Sequence, residues 1–290
     1  MEKRLLLAGV LCLVVVTALS AGGWNEPGGG ALLTSSDEWG VERLEAEIGG
    51  FDFEYRGGSG PATRIEVYGA ADGRPVIQRD GALLTISLLD RVRLAAPRGR
   101  IVVLGPAMID ITVRSTAGSI ALETIAAPEL TAYSSSGGIT VETVEADLDL
   151  RTDAGDITVI DSAGSKRIVT ESGNIALSSS SGRMVLRSVS GRINLWDVTG
   201  ALDVQTVSGA IDVVGLTLHD RGRVVTESGR IEVIFAHELD TLLFDLSSRS
   251  GKITVGEEIW STEAGDPDSD EAEGRRPFVG ISGSGHQYYR

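Results

Sequence analysis

Residues 168–177 read Ile168-Val169-Thr170-Glu171-Ser172-Gly173-Asn174-Ile175-Ala176-Leu177. Eighteen residues later the chain reads Leu186-Arg187-Ser188-Val189-Ser190-Gly191-Arg192-Ile193-Asn194-Leu195. Working outward from these two copies, the glycine recurs at Gly118, Gly137, Gly155, Gly209, Gly229 and Gly251. The intervals between all eight are 19, 18, 18, 18, 18, 20 and 22 residues. Two residues after each glycine stands an isoleucine: Ile120, Ile139, Ile157, Ile175, Ile193, Ile211, Ile231 and Ile253. Two further on is Leu or Val, from Leu122 to Val255. Three before the glycine is always Ser or Thr: Ser115, Ser134, Thr152, Thr170, Ser188, Thr206, Thr226 and Ser248. Five before it is Val, Ala, Leu or Ile. Seven before it the residue is apolar, except at Lys166 and Gly222.

The apolar marks are two residues apart, which places them on one face of an extended strand. A second glycine at Gly164, Gly182 and Gly200 divides the unit, so the rhythm is strand and turn about every nine residues. The left-handed helix built from hexapeptides also has 18-residue rungs, but its apolar mark recurs every six, which the nine-residue sub-period disfavours. One such unit cannot cover its own apolar face, whereas stacked copies can. The expectation is an all-β, single-stranded β-solenoid (β-helix-like), with roughly 18-residue rungs of two short strands. The eight isoleucines would form one buried ladder and the Ser/Thr hydroxyls a second one, bonded to the backbone near a turn.

The organisation follows from where the repeat starts and stops. Residues 1–21 carry Lys3 and Arg4, an apolar run from Leu5 to Val16, and small residues up to Ala21 and Gly22. That is the pattern of a signal peptide, cleaved after Ser20 or Gly22, with a retained N-terminal anchor as the alternative. It implies an extracytoplasmic (periplasmic, cell-surface or secreted) location, and the uncleaved form would be a membrane tether. Cys12 is the only cysteine. Leu11 precedes it and the apolar run continues past it, which argues against a lipoprotein. Residues 22–38 read as a Gly/Ser-rich linker, 39–110 as an N-terminal β cap of irregular rungs, 111–260 as the regular solenoid, and 261–290 as an acidic loop and tail. Pro277 to Ile281 has the composition of a last short strand.

The copies of Ser-Gly-x-Ile-x-Val, with Leu-x-Val-x-Thr between them, have a companion at the start of the repeat region. Glu42-Arg43-Leu44-Glu45 leads to Gly49, followed by Tyr55-Arg56-Gly57-Gly58 and Arg64-Ile65-Glu66-Val67. Over about residues 39–260 this resembles the bacterial β-strand-repeat family labelled "putative adhesin", a domain of unknown function. The resemblance implies the solenoid architecture and an envelope role by association, and it brings no catalytic residues to carry over.

Composition narrows the partners. With 26 Lys and Arg against 41 Asp and Glu, the formal charge is −15. That balance argues against nucleic acid, whose binding rests on cations neutralising phosphate, and against anionic lipid headgroups. The expected partner is a protein or glycan of the cell envelope. The three histidines, His219, His237 and His286, have no metal-ligand spacing, and no phosphate-binding loop opens a helix. Serines recur in every rung without a matching histidine, so they read as lattice rather than nucleophiles. No catalytic, cofactor-binding or metal residue is assigned and no cofactor is expected.

The alternative function is a carbohydrate-active β-helix enzyme, a polysaccharide lyase or glycosidase, since such chemistry needs paired carboxylates. The candidates would be Asp153, Asp156 and Asp161, or Asp197, Asp203 and Asp212. One outward residue stands apart. Trp196 aligns with Ile160 and Val214 of neighbouring units, and its ring could stack on a sugar or a partner, or fold over a solenoid corner.

Overall fold

The computed structural model describes residues 30–69, 75–88 and 99–236, together with the backbone of five further strands between 242 and 289. These residues contain strands and no helix. The N-terminal part holds β1 (Leu32–Trp39), β2 (Arg43–Gly49), β3 (Asp52–Gly58), β4 (Ala62–Gly69), β5 (Pro75–Asp80), β6 (Leu83–Leu88) and β7 (Gly99–Pro106). β1 starts inside the stretch read as linker. The repeat region holds β8 (Asp110–Ser115), β9 (Ile120–Ser134), β10 (Ile139–Thr152), β11 (Ile157–Ala163), β12 (Lys166–Thr170), β13 (Ile175–Ser190), β14 (Ile193–Trp196), β15 (Thr199–Ser208), β16 (Ile211–Ser228) and β17 (Ile231–Phe235). β18 (Leu242–Ser248), β19 (Ile253–Val255), β20 (Glu258–Trp260), β21 (Arg276–Ser282) and β22 (Gln287–Tyr289) follow.

The chain is a β-solenoid. From residue 110 to residue 235, seven rungs stack in chain order through parallel ladders, each rung above the one before it. Ile120, Ile139, Ile157, Ile175, Ile193, Ile211 and Ile231 face one another in unbroken register. All seven are buried. Each such side chain withdrawn from water contributes about 1.5–3 kcal/mol, so the column is a principal source of cohesion. Below Ile120 the column continues through Phe53 to Ile101. Above Ile231 the expected eighth member is displaced: Gln287 lies opposite both Ile231 and Ile253.

That displacement has a counterpart at the other end. β2 lies between β6 and β8, and β3 lies between β7 and β9. The rung 43–58 is therefore inserted under residue 110, with the later segment 83–106 outside it. In the same way β21 lies between β16 and β18, and β22 between β17 and β19. At each end a rung is thus out of chain order, with β2 and β3 one rung in at the N-terminal end and β21 and β22 one rung in at the other. Antiparallel strands then cover the outermost rungs: β5 on β6, β4 on β7, β1 on β4, and β20 on β19. Such strands blunt the open edges that a solenoid would otherwise present.

Two glycine columns have different causes. The recurrent glycine at Gly118, Gly137, Gly155, Gly173, Gly191, Gly209 and Gly229 has no positive φ. A Cβ there would fall inside van der Waals contact of the carbonyl of the residue stacked beneath it, as at Gly173 over Gly155. Close approach alone selects glycine in this column. Gly164, Gly182 and Gly200 form the second column. They have φ of 107°, 112° and 141° and also press on the carbonyl below, so both conformation and space select glycine there.

The Ser/Thr ladder is buried and works as a clamp. Thr152 Oγ1 accepts from the Gly155 amide at 3.0 Å and donates to the Gly137 carbonyl at 3.2 Å. Thr170 repeats this with Gly173 and Gly155, at 3.0 and 3.3 Å. Donation to the glycine one rung back runs from Ser115 to Thr226. One hydroxyl thus closes its own turn and ties it to the turn below, satisfying groups that burial would otherwise leave unpaired.

Candidate functional site

The inward–outward alternation that buries Ile193 and Leu195 turns Asn194 and Trp196 outward in β14. Register then builds a row across the outer surface: Glu142, Ile160, Ser178, Trp196, Val214 and Ile234 lie side by side on successive rungs. Trp196 is 43% exposed, Ile160 37% and Val214 38%. With rungs about 4.8 Å apart, the stretch from Ile160 to Ile234 is about 19 Å long. Beside it run small or short polar residues, Thr158, Ala176 and Asn194, followed by Asp212. The row is therefore flat enough for contact by an extended partner.

Trp196 is the last residue before a corner. The next residue, Asp197, has φ of 51°. It belongs to a column of left-handed corner residues that the repeat pattern did not reveal: Thr124, Thr143, Asp161, Ser179 and Asp197, with Gly215 in the sixth place. The sequence signal was partial, since Asp161, Ser179, Asp197 and Gly215 are common turn residues but Thr124 and Thr143 are not. Positive φ is uncommon outside glycine, and strained for a β-branched Thr. The Asp197 amide donates to the Val214 carbonyl at 2.9 Å, which fixes the corner to the next rung.

The carboxylates considered for catalysis are spread over the lattice. Asp153 accepts from the Tyr133 hydroxyl at 2.8 Å and from Ser135 at 3.2 Å. The bond to Asp153 is the main cause of a raised Tyr133 pKa. Asp156 accepts from the Asn174 amide at 2.7 Å. Asp161 and Asp197 are corner residues. Asp203 is 2.6 Å from Arg187, and Asp212 is 2.6 Å from Arg230 and 3.9 Å from Arg192. Among the described residues no three His, Cys, Asp or Glu gather where they could hold a metal ion. His219 is exposed; His237 and His286 lie outside the described residues.

Lys166, an exception in the apolar pattern, is buried with only 1% of its surface exposed. It stands between Leu148 and Met184 in register. Its Nζ donates to the Gly164 carbonyl at 2.9 Å and the Ser181 carbonyl at 2.7 Å. Desolvation lowers its pKa to about 8, with Asp147 opposing. Two neutral acceptors hold the ammonium in place without a contacting counter-charge.

The described residues thus form an all-β solenoid with a stacked, partly apolar outer row. Residues 89–183 and 147–277 match the model of the Toastrack DUF4097 family, together spanning more than half of the chain, and the chain belongs to that family. Two solved structures are similar to it. One is a "putative cell adhesion protein" from Clostridium sporogenes, 10% identical, with 88% of this chain and 98% of that one covered and a TM-score of 0.29. The other is a "putative adhesin" from Parabacteroides distasonis, 13% identical, with 89% and 97% covered and a TM-score of 0.36. Comparison with curated proteins gives no match.

Proposed function

We propose that this chain is a non-enzymatic, exported β-solenoid that serves as a structural or interaction module, adhesin-like, at the cell envelope. The observation that carries the reading is the outer row centred on Trp196, where exposed Ile160, Trp196 and Val214 fall in register on a flat sheet face. An exposed aromatic flanked by aliphatics supplies the kind of anchor on which binding energy concentrates. Two further features support it. The basic and apolar N-terminal segment has the make-up of an export signal. The Asp side chains that could serve catalysis are spread over separate rungs rather than drawn to one cleft, and Asp203 and Asp212 are engaged by arginines. The partner is a protein or glycan of that compartment.

Fractionation of cells producing the full chain tests the proposal. The wild type should sediment with the envelope from the extracytoplasmic side. Trp196→Ala should shift at least about tenfold more protein into the soluble extracytoplasmic fraction, as loss of a central aromatic anchor does, with an unchanged melting curve. Recovery of the wild type in the cytoplasm, or an unchanged distribution of the variant, overturns the reading.

A further inference from the structure

The apolar column through Leu130, Leu148, Lys166, Met184 and Leu202 is interrupted in register at Gly222. Gly222 belongs to the rung in which the glycine interval lengthens to 20 residues. The ladder between β15 and β16 slips there: Gly200 faces Leu218, but Leu202 faces Gly222. The slip leaves Asp220 and Arg221 outside the ladder, on the rim of a pocket of about 310 Å³ that Arg183, Ala201, Asp203 and Arg223 also line. Arg183 faces Ala201 in register, and Arg221 immediately precedes Gly222. The two arginines therefore start about two rung steps, or roughly 10 Å, apart, with only a methyl group between them.

Among the described residues, the charge balance of this pocket is opposite to that of the chain. Arg183, Arg221 and Arg223 are exposed. None of their guanidinium groups makes an ion pair or a hydrogen bond with a described residue. Asp203 does not compensate them, because Arg187 holds it through its carboxylate at 2.6 Å and its carbonyl at 2.9 Å. Among the described residues, three guanidinium groups against Asp220 leave the rim at +2, within a chain of −15. Guanidinium groups so placed present fork-shaped donors suited to a planar or tetrahedral oxyanion. Asp220 on the rim is an acceptor suited to hydroxyl groups. A bare anion uses only the first set, whereas a sugar bearing an acidic group uses both.

We infer that the pocket bounded by Arg183, Arg221 and Arg223 is a binding site for an acidic saccharide unit, with its carboxylate or sulfate on the arginines and its hydroxyls toward Asp220. The site stands on a different strand from Trp196, so its failure and that of the Trp196 row are separable. Calorimetric titration of the full chain tests it, using an oligogalacturonate tetramer and a heparin-derived tetrasaccharide. Maltotetraose, inorganic phosphate and phosphatidylglycerol vesicles serve as comparisons. At least one acidic oligosaccharide should bind. The affinity should fall at least about tenfold in the double variant Arg221→Ala/Arg223→Ala, as expected when charge-assisted hydrogen bonds are lost, and should weaken with added salt. Arg151→Ala, remote from the pocket, should bind as wild type, and all variants should keep the wild-type unfolding curve. The inference is overturned if neither acidic oligosaccharide binds or if maltotetraose binds equally well. Phosphate or the vesicles binding as tightly, or the double variant losing nothing, would overturn it too.

Discussion

The middle of this solenoid and its two ends are built by different rules. Between residues 110 and 235 each rung rests on its sequence neighbour, so the partner of any strand is about eighteen residues away. At the ends the partner is remote: Phe53 faces Ile101 on one side and Ile120 on the other, and Gly222 faces Phe278. Local stacking makes stability a sum of like terms passed between neighbours. Remote insertion requires a long loop to close before the pairing is gained, which is entropically costly and slows assembly. The regular stretch supplies a template, and the ends are fitted to it.

The largest test of this contrast is a pair of truncations. Ile193→Ala, with four of the seven regular rungs on one side and two on the other, should cost about 2–5 kcal/mol and lower hydrogen-exchange protection across the whole 110–235 stack. Ile86→Ala in the outermost N-terminal rung should strip protection from β6 and the adjoining β5 and leave the middle as it was. Equal spread of the two effects would mean that ends and middle unfold as one unit.

A second test uses the one charged residue in the column. The folded-state pKa of Lys166 is about 8, below the value of 10.5 it has when solvated. Below pH 8 both states hold the proton, and burial of the charge destabilises the fold fully. Between pH 8 and 10.5 the folded state has released its proton and the unfolded state has not, so stability rises with pH through that window. The rise should be on the order of 3 kcal/mol. Lys166→Met places in this rung the residue that Met184 supplies to the next. The stability difference between variant and wild type should be greatest near pH 7 and shrink by pH 10.5 in denaturant titrations. A difference that does not change with pH would show that the ammonium is hydrated.

The smallest effect belongs to the inserted N-terminal rung. Tyr55 is buried and its hydroxyl donates to the Pro106 carbonyl at 2.6 Å, joining 43–58 to the outer segment. Tyr55→Phe should cost about 1 kcal/mol, with the added exchange confined to β3 and β7. A loss that reaches β13 would blur the distinction between end and middle.

Most of the middle was legible because one-dimensional periodicity carries it. The isoleucines from Ile120 to Ile231 and the hydroxyls from Ser115 to Thr226 recur at fixed offsets, and stacking turns offset into contact. Two things were not legible. The left-handed corners at Thr124, Thr143 and Asp161 hide among polar residues that also suit ordinary turns. The insertions at the ends leave no periodic mark, because Leu44, Ala46 and Ile48 alternate just as Leu84 and Ile86 do, and either strand would fit beneath Ile111. The pocket at Arg221 lay between these cases. Its 20-residue interval was visible, but only the ladder slip at Gly200 and Leu202 brings that arginine beside Arg183.

The inserted rungs also decide how the molecule would bear tension. Were the outermost rungs joined directly to what lies beyond, a pull would peel them off one hydrogen bond at a time. Instead β2 and β3 at one end, and β21 and β22 at the other, each lie between two strands. A load entering through either must shear two parallel ladders at once, and the outermost rung acts as a wedge against withdrawal. Each end is arranged like a rope with one strand tucked under its last turn.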